Sequence, residues 1–219
     1  RANPRAGAEY RVRNQKVEHR VQNGSQDRSV ILVMSGPSGS GKTTLLQGLL
    51  KTAALKKRLV KSISLTTRPK RQREKQGKDY FFVSEDKFKQ LLRAKKILEW
   101  TRYLGYYYGT PRDFINEQLK KGKSVGLCLD LRGALKLKRL YPQKAISIFI
   151  LPPSIKELKK RIEKRCRKTL VSEIQKRLRL VQKELKFRRQ YDYCLVNKDL
   201  YTTVGKLKDI ILGEIGPTS

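Results

Sequence analysis

Gly36, Gly41, Lys42 and Thr43 stand in the spacing G-x-x-x-x-G-K-[ST], inside the run Gly36-Pro37-Ser38-Gly39-Ser40-Gly41-Lys42-Thr43-Thr44. That spacing is suited to phosphate. Glycines let successive backbone N–H groups turn inward as an anion nest, and a helix that starts behind them adds its partial positive charge. Lys42 has the reach and charge to meet β- and γ-phosphates, the Thr43 hydroxyl can hold Mg²⁺, and Ser38, Ser40 and Thr44 add hydroxyls to the same loop. The residues in front, Val30-Ile31-Leu32-Val33-Met34-Ser35, are apolar and β-branched as a buried parallel strand is; those behind, Leu45-Leu46-Gln47-Gly48-Leu49-Leu50, are helical. Strand, loop and helix are in register, so the run reads as a nucleoside triphosphate site rather than an ordinary Gly/Ser turn. A second chemical stretch is Thr66-Thr67-Arg68-Pro69-Lys70-Arg71-Gln72-Arg73-Glu74, where hydroxyls run into clustered arginines. It reads as an anion-binding turn, with a solvated charge run as the alternative.

The elements that must position these groups follow an α/β pattern. Leu59–Leu65 alternates as one strand, and short apolar pieces follow it: Tyr80–Val83, a helix start at Ser84, Ile97–Trp100 and Tyr106–Thr110. Short strands between α/β units imply an inserted lobe. Regular alternation returns with Ser124–Asp130, a helix through Leu140, and Ala145–Leu151. Pro152-Pro153 stops that strand, and Ser154 caps a basic helix from Ile155 to about Lys164. A second basic helix runs from about Ser172 to Arg189, with Ile174, Leu178, Val181 and Leu185 on one face. Strand Tyr193–Asn197 and a helix from Tyr201 to about Leu212 complete the pattern. Residues 1–28 are basic, polar and aperiodic, and read as an extension that is flexible alone; Glu9, Glu18 and Asp27 argue against an acid-poor import leader.

The charge balance is out of proportion to this site. The 219 residues carry 52 Lys+Arg against 19 Asp+Glu, a net charge of +33. Two nucleotides neutralise only a handful of cations, so RNA, DNA or an anionic surface is the expected counterpart, with a proteome-wide lysine bias as the bland alternative. The three cysteines, Cys128, Cys166 and Cys194, have neither zinc nor disulfide-framework spacing. The single histidine, His19, lies in the polar N-terminal stretch, which disfavours imidazole catalysis. No apolar run is long enough to span a bilayer. The expected setting is intracellular, an organelle matrix such as the mitochondrion, with the cytoplasm as the alternative.

From about Val30 to Leu212 the chain resembles guanylate kinase. The blocks that carry the resemblance are S-G-P-S-G-S-G-K-T-T, S-I-S-L-T-T-R with Arg71, Glu74, Gly77 and Tyr80 following, L-E-W, Y-Y-G-T, I-F-I-L-P-P-S and Y-D-Y-C-L-V-N-K-D-L. The resemblance implies an α/β P-loop core of parallel strands, residues 29–61 and 123–219. It also implies a small GMP-binding lobe at about 62–122 and a helical lid at about 156–177. Its implied activity is ATP-dependent phosphorylation of GMP to GDP with Mg²⁺. By the same resemblance Arg68, Arg71, Tyr80 and Tyr108 clamp the GMP phosphate, and Ser64, Glu99 and Thr110 contact guanine. Arg161, Arg165 and Arg177 surround the transferring group, and Asp130 stands at the substrate side of the loop. Guanine chemistry agrees independently: its N1–H and N2–H₂ donors call for a carboxylate, which makes Glu99 the specificity residue. The alternative for Glu99 is a surface carboxylate beside a core Trp100. Of the three tyrosines Tyr106 to Tyr108, two are expected to pack.

The chain departs from the family where Asp-Ile-Asp is replaced by Cys128-Leu129-Asp130, which leaves one carboxylate to orient the metal's waters and implies reduced activity. Arg132 replaces a glutamine, Gln72-Arg73 replace Pro-Gly, and the lid turn reads Arg165-Cys166. Three functions therefore compete. One is the GMP-phosphorylating enzyme. Another is a guanylate-kinase-like subunit of an RNA-rich assembly, such as an organellar ribosome, with weakened or lost catalysis. The third, a scaffold domain, is disfavoured by the complete ATP loop.

Overall fold

Every residue of β1 (Ile31–Ser35) is buried, as an apolar strand is when it has sheet neighbours on both sides and helices on both faces. In this computed structural model, which describes residues 29–165 and 171–216, β1 is the centre of a five-stranded sheet of order β2-β7-β1-β8-β9. Its companions are β2 (Leu59–Lys61), β7 (Ser124–Cys128), β8 (Ala145–Leu151) and β9 (Tyr193–Val196), and all pairings are parallel. From β1 the chain supplies β2 and β7 on one side and later β8 and β9 on the other. The carboxyl end of β1 is thus the switch point at which open parallel sheets bind ligands. Met34 pairs with Cys128 there, so β1 and β7 finish side by side.

Helices cover both faces. α1 (Lys42–Lys51) buries Leu45, Leu46 and Leu49 against Leu207, Ile211 and Ile215 of α7 (Leu200–Ile215) on one side. On the other, α3 (Arg112–Lys120) and α4 (Leu131–Leu140) bury Ile115, Ala134 and Leu137. Each fully buried leucine contributes about 1.5–3 kcal/mol relative to exposure, so these stripes anchor the helix starts that face the crevice.

A second sheet of order β4-β3-β6-β5 comprises β3 (Leu65–Thr66), β4 (Phe81–Phe82), β5 (Ile97–Tyr103) and β6 (Tyr106–Pro111). α2 (Glu85–Arg93) begins with the Ser84 hydroxyl accepting the Lys87 N–H, and buries Phe88 with Leu65 and Ile97. Finally, α5 (Ile155–Arg165) and α6 (Val171–Lys186) share Leu158, Ile162 and Val181 as a small core of their own. As the sequence reading placed it, the Ser154 hydroxyl accepts the Glu157 N–H at the start of α5.

Four expectations need correcting. Leu59–Leu65 is two strands: Ser62 N–H still bonds Gly126 of the large sheet, but Ser64 C=O already accepts from Phe81 in the second. Both pieces have period two, so alternation could not reveal the crossing. α3 was not expected at all; its N-cap is Pro111, with no side-chain cap bond, and only Ile115 is fully buried. α6 gives way to a 3-10 turn, Arg188–Gln190, before Arg189, whereas α7 runs on to Ile215, whose side chain is in the core. The N-terminal extension and Cys166 of the Arg165-Cys166 turn lie outside the described residues, and Arg165 is the last residue of α5. Among the described residues no helix is long and apolar enough to cross a membrane.

Candidate active site

The glycine-rich loop leaves β1 and enters α1 with its glycines used for space as well as turning. Gly36 has φ +130° and a Cβ there would lie 2.3 Å from Ile150 O; Gly41 has φ +95° and a Cβ would lie 2.4 Å from Asn197 Nδ2. Neither position admits another residue. The loop is held from the end of β9, where Asn197 Nδ2 donates to Ser40 O at 2.8 Å. Lys42 Nζ donates to Gly36 O at 2.7 Å and Pro37 O at 2.9 Å, which keeps the ammonium at the mouth of the loop. Ser40 is fully buried, whereas the Thr43 and Thr44 side chains are open to the cleft.

A single cleft of about 1370 Å³ runs from this loop to the second sheet. Gly36, Ser38, Gly39, Gly41, Lys42, Thr43 and Thr44 form one end, and Ser64, Arg68, Arg71, Tyr80, Glu99 and Tyr108 form the other. Asp130 and Cys128 lie in its wall, as does Arg161, which donates to Glu157 at 2.9 Å. α5 packs over the loop closely: a Cβ on Gly39 would meet Leu158 Cδ1 at 3.1 Å and Ile162 Cγ1 at 3.3 Å. Arg165 and Arg177 belong to α5 and α6, but their side chains lie outside the described residues.

Glu99 is 2 % exposed while its neighbour Trp100 is 41 % exposed, the reverse of the surface-carboxylate alternative. Strand alternation turns Glu99 to the cleft and Trp100 away from it. The Thr110 hydroxyl, itself fully buried behind Glu99, donates to Glu99 Oε1. Burial pushes the Glu99 carboxyl up to about 7 and the Asp130 charge adds to this, while the Thr110 bond and Lys136 work against it.

The arginine cluster is pre-assembled. Arg68 Nη2 lies 2.8 and 2.9 Å from the two Glu74 oxygens, and Glu74 also accepts the Arg71 N–H at 2.9 Å. The Arg68 guanidinium stands 5.6 Å over Tyr80, whose ring meets Tyr108 edge-on at 5.9 Å. Burial pulls the Arg68 pKa down, but the bonds to Glu74 and Tyr108 outweigh it and leave it raised. Of the three consecutive tyrosines, Tyr107 stacks on Phe88 at 5.3 Å, while Tyr108, edge-on to Tyr80, lines the cleft together with Tyr106.

Asn197 and Glu184 are among the cleft residues that the sequence did not single out. Asn197 carries the signal of a polar residue at the carboxyl end of a parallel strand. Glu184 sits on α6 three residues after buried Val181, an acid at the edge of an inward helical stripe. Burial pushes its carboxyl up to about 7, countered by Lys42 and assisted by Asp130. Beside them, burial raises the Cys128 thiol despite the Lys42 and Lys61 charges and a bond with Thr43.

Among the described residues no group of three or more acidic, cysteine or histidine side chains could cage a metal. Thr43 and Asp130 nevertheless offer oxygen donors to the same cleft, the sparse set Mg²⁺ takes when substrate phosphates supply the rest.

A model of the guanylate kinase family matches residues 27–214. A guanylate kinase of Wolbachia pipientis wMel is 44 % identical over 189 residues, 86 % of this chain and 92 % of that protein. The guanylate kinase of Bacillus subtilis strain 168 is 39 % identical over 189 residues, 86 % of this chain and 91 % of its own. The crystal structure of guanylate kinase from Anaplasma phagocytophilum superposes with a TM-score of 0.71 at 34 % identity, covering 88 % of this chain and 89 % of that one. With matches that span most of both partners, the chain belongs to the guanylate kinase family.

Proposed function

We infer that the protein transfers the γ-phosphoryl group of ATP to GMP, giving ADP and GDP. The observation that carries this is the shared cleft: a phosphate loop at one end, and at the other a buried carboxylate beside an arginine–tyrosine cluster. In this reading residues 62–122 form the GMP lobe, and the helices at about 156–177 the lid over the core. The loop amides from Gly36 to Thr44 and Lys42 bind the ATP phosphates. Arg68, Arg71, Tyr80 and Tyr108 hold the GMP phosphate, while Ser64 and Glu99 read guanine and Thr110 acts through Glu99. A GMP phosphate oxygen attacks the γ-phosphorus as its bond to the ADP oxygen breaks, and Lys42, Arg161, Arg165 and Arg177 neutralise the charge that spreads over the moving group. Bound Mg²⁺, held by Thr43 with Asp130 orienting its waters, would supply further neutralisation. Coupled turnover with GMP and AMP tests the assignment. GMP is expected to be the strongly preferred acceptor, and equal rates would overturn it.

Cys128 stands where the family carries a carboxylate, and its thiol faces Thr43 and Lys42. Cys128→Asp is therefore expected to lower the Mg²⁺ concentration for half-maximal turnover and to raise kcat by about tenfold, the scale of an outer-shell metal group. Unchanged Mg²⁺ dependence would show that Asp130 and water suffice.

A second reading adds a polyanionic partner, RNA or ribonucleoprotein, in an organelle matrix such as the mitochondrion or in the cytoplasm. One observation favours it: Lys156, Lys159, Lys160, Arg179, Lys183 and Lys186 are exposed on α5 and α6, and none lines the cleft. Filter binding of single-stranded RNA is expected to weaken steeply with salt, at a log–log slope of about −0.7 per phosphate neutralised. Saturating ATP and GMP should leave it unchanged. No binding at low salt would remove this reading.

A further inference from the structure

The Glu99 carboxylate is confined on two sides. Oε1 accepts from Thr110, and Oε2 extends toward the first turn of α4. There a Cβ built on Gly133 would lie 2.7 Å from Oε2, 3.2 Å from Glu99 Cδ and 3.1 Å from Leu129 Cδ1. Gly133 is buried and ordinary in its backbone, so no turn requires glycine. A glycine inside a helix costs about 1 kcal/mol relative to alanine, and this one is accounted for by the space it leaves. Nor can the turn retreat: Asp130 Oδ1 accepts the Gly133 N–H at 2.9 Å, and Ala134 and Leu137 are fixed in the core behind it.

We propose that Gly133 is a positioning residue for guanine recognition, because its missing side chain lets α4 close against Glu99 and, with Thr110, fix the carboxylate edge that faces the cleft. This rests on the reading of Glu99 as the guanine acceptor. A methyl group 2.7 Å from an oxygen has to be relieved. Glu99 is 2 % exposed and lines the cleft, so its carboxylate moves only at the expense of the position it presents there. Relief comes by turning the carboxylate off the Thr110 hydroxyl or withdrawing it from the guanine edge. The helix of the core thereby sets the specificity of a residue carried on the second sheet.

The test is Gly133→Ala in the full chain, with GMP and IMP compared as acceptors and ATP affinity measured by calorimetry. IMP lacks the exocyclic amine, so it depends less on where the carboxylate sits. A displacement near 1 Å is expected to lower kcat/KM for GMP by about 100-fold, mainly through KM, and IMP by less. ATP affinity should stay at the parent value. In a Glu99→Ala background the methyl group occupies vacated space, so Gly133→Ala should add no further loss. A variant with parental GMP KM and GMP-over-IMP preference would overturn the proposal. So would an equal loss in the Glu99→Ala background, because that places the damage in α4 itself. If Glu99→Ala alone keeps the parental preference, the reading of Glu99 fails, and the proposal with it.

Discussion

Lys42→Ala is expected to lower kcat for GMP phosphorylation by about 10³-fold, the upper range for removing one preorganised donor from a charge-developing site. Its ammonium already stands at the loop mouth, 2.7 Å from Gly36 O and 2.9 Å from Pro37 O. In the transition state it exchanges these carbonyls for phosphate oxygens that carry growing negative charge. That interaction strengthens during the reaction, so its loss falls on kcat more than on ATP affinity. The loop itself should survive. Asn197 holds it through Ser40 O, the Ser40 N–H bonds Pro37 O at 3.1 Å, and Leu45, Leu46 and Leu49 anchor the helix. Titration with a fluorescent ATP analogue beside steady-state turnover separates the two effects. Near-parental kcat would mean that this loop is not where transfer occurs.

The phosphate loop was legible because its signals are contiguous: an apolar strand, spaced glycines and an apolar helix within about twenty residues. The GMP side was not, since its groups come from the segments flanking β3 and β4 and from β5 and β6, and only a likeness over several blocks joins them. Within those blocks pattern reasoning went wrong in particular places. Alternation could not show that the chain leaves one sheet after Lys61 and enters another at Leu65, although that crossing puts Ser64 in the cleft wall. Polarity alone left a surface Glu99 beside a core Trp100 as the alternative to the specificity reading, and the strand does the opposite, with Glu99 buried and Trp100 exposed. Glu184 is one acid in a basic helix and Gly133 one glycine inside α4, and neither stands out in the sequence. Both gain meaning only from what packs against them. The arginines at Arg68 and Arg71 were legible as a cluster, but their shared support by Glu74 appears only once the turn is folded.

Glu99→Gln is expected to lower kcat/KM for GMP by about 100-fold and to erase most of the preference over AMP, with ATP affinity unchanged. The reason is a reversal at one atom. Thr110 still donates to the side-chain oxygen, and the amide then presents N–H groups where guanine N1–H and N2–H₂ also donate. The pH profile separates this from a general defect. Burial raises the Glu99 carboxyl from 4.5 to about 7, so in the parent protein the acceptor is lost by protonation below that value, and kcat/KM for GMP rises as pH passes upward through it. The nucleotide phosphate also titrates near pH 6, but AMP shares that step and serves as the control. The GMP-specific rise should be absent in the glutamine variant. Stability has the opposite sign. A raised folded pKa means that the contribution of neutral Glu99 is complete below 4.5 and is lost as pH climbs through about 7. Glutamine stays neutral throughout, so at pH 8 the variant should melt no lower than the parent while phosphorylating GMP far more slowly. A fall in melting temperature together with equal losses for GMP and AMP would assign Glu99 to the fold rather than to guanine.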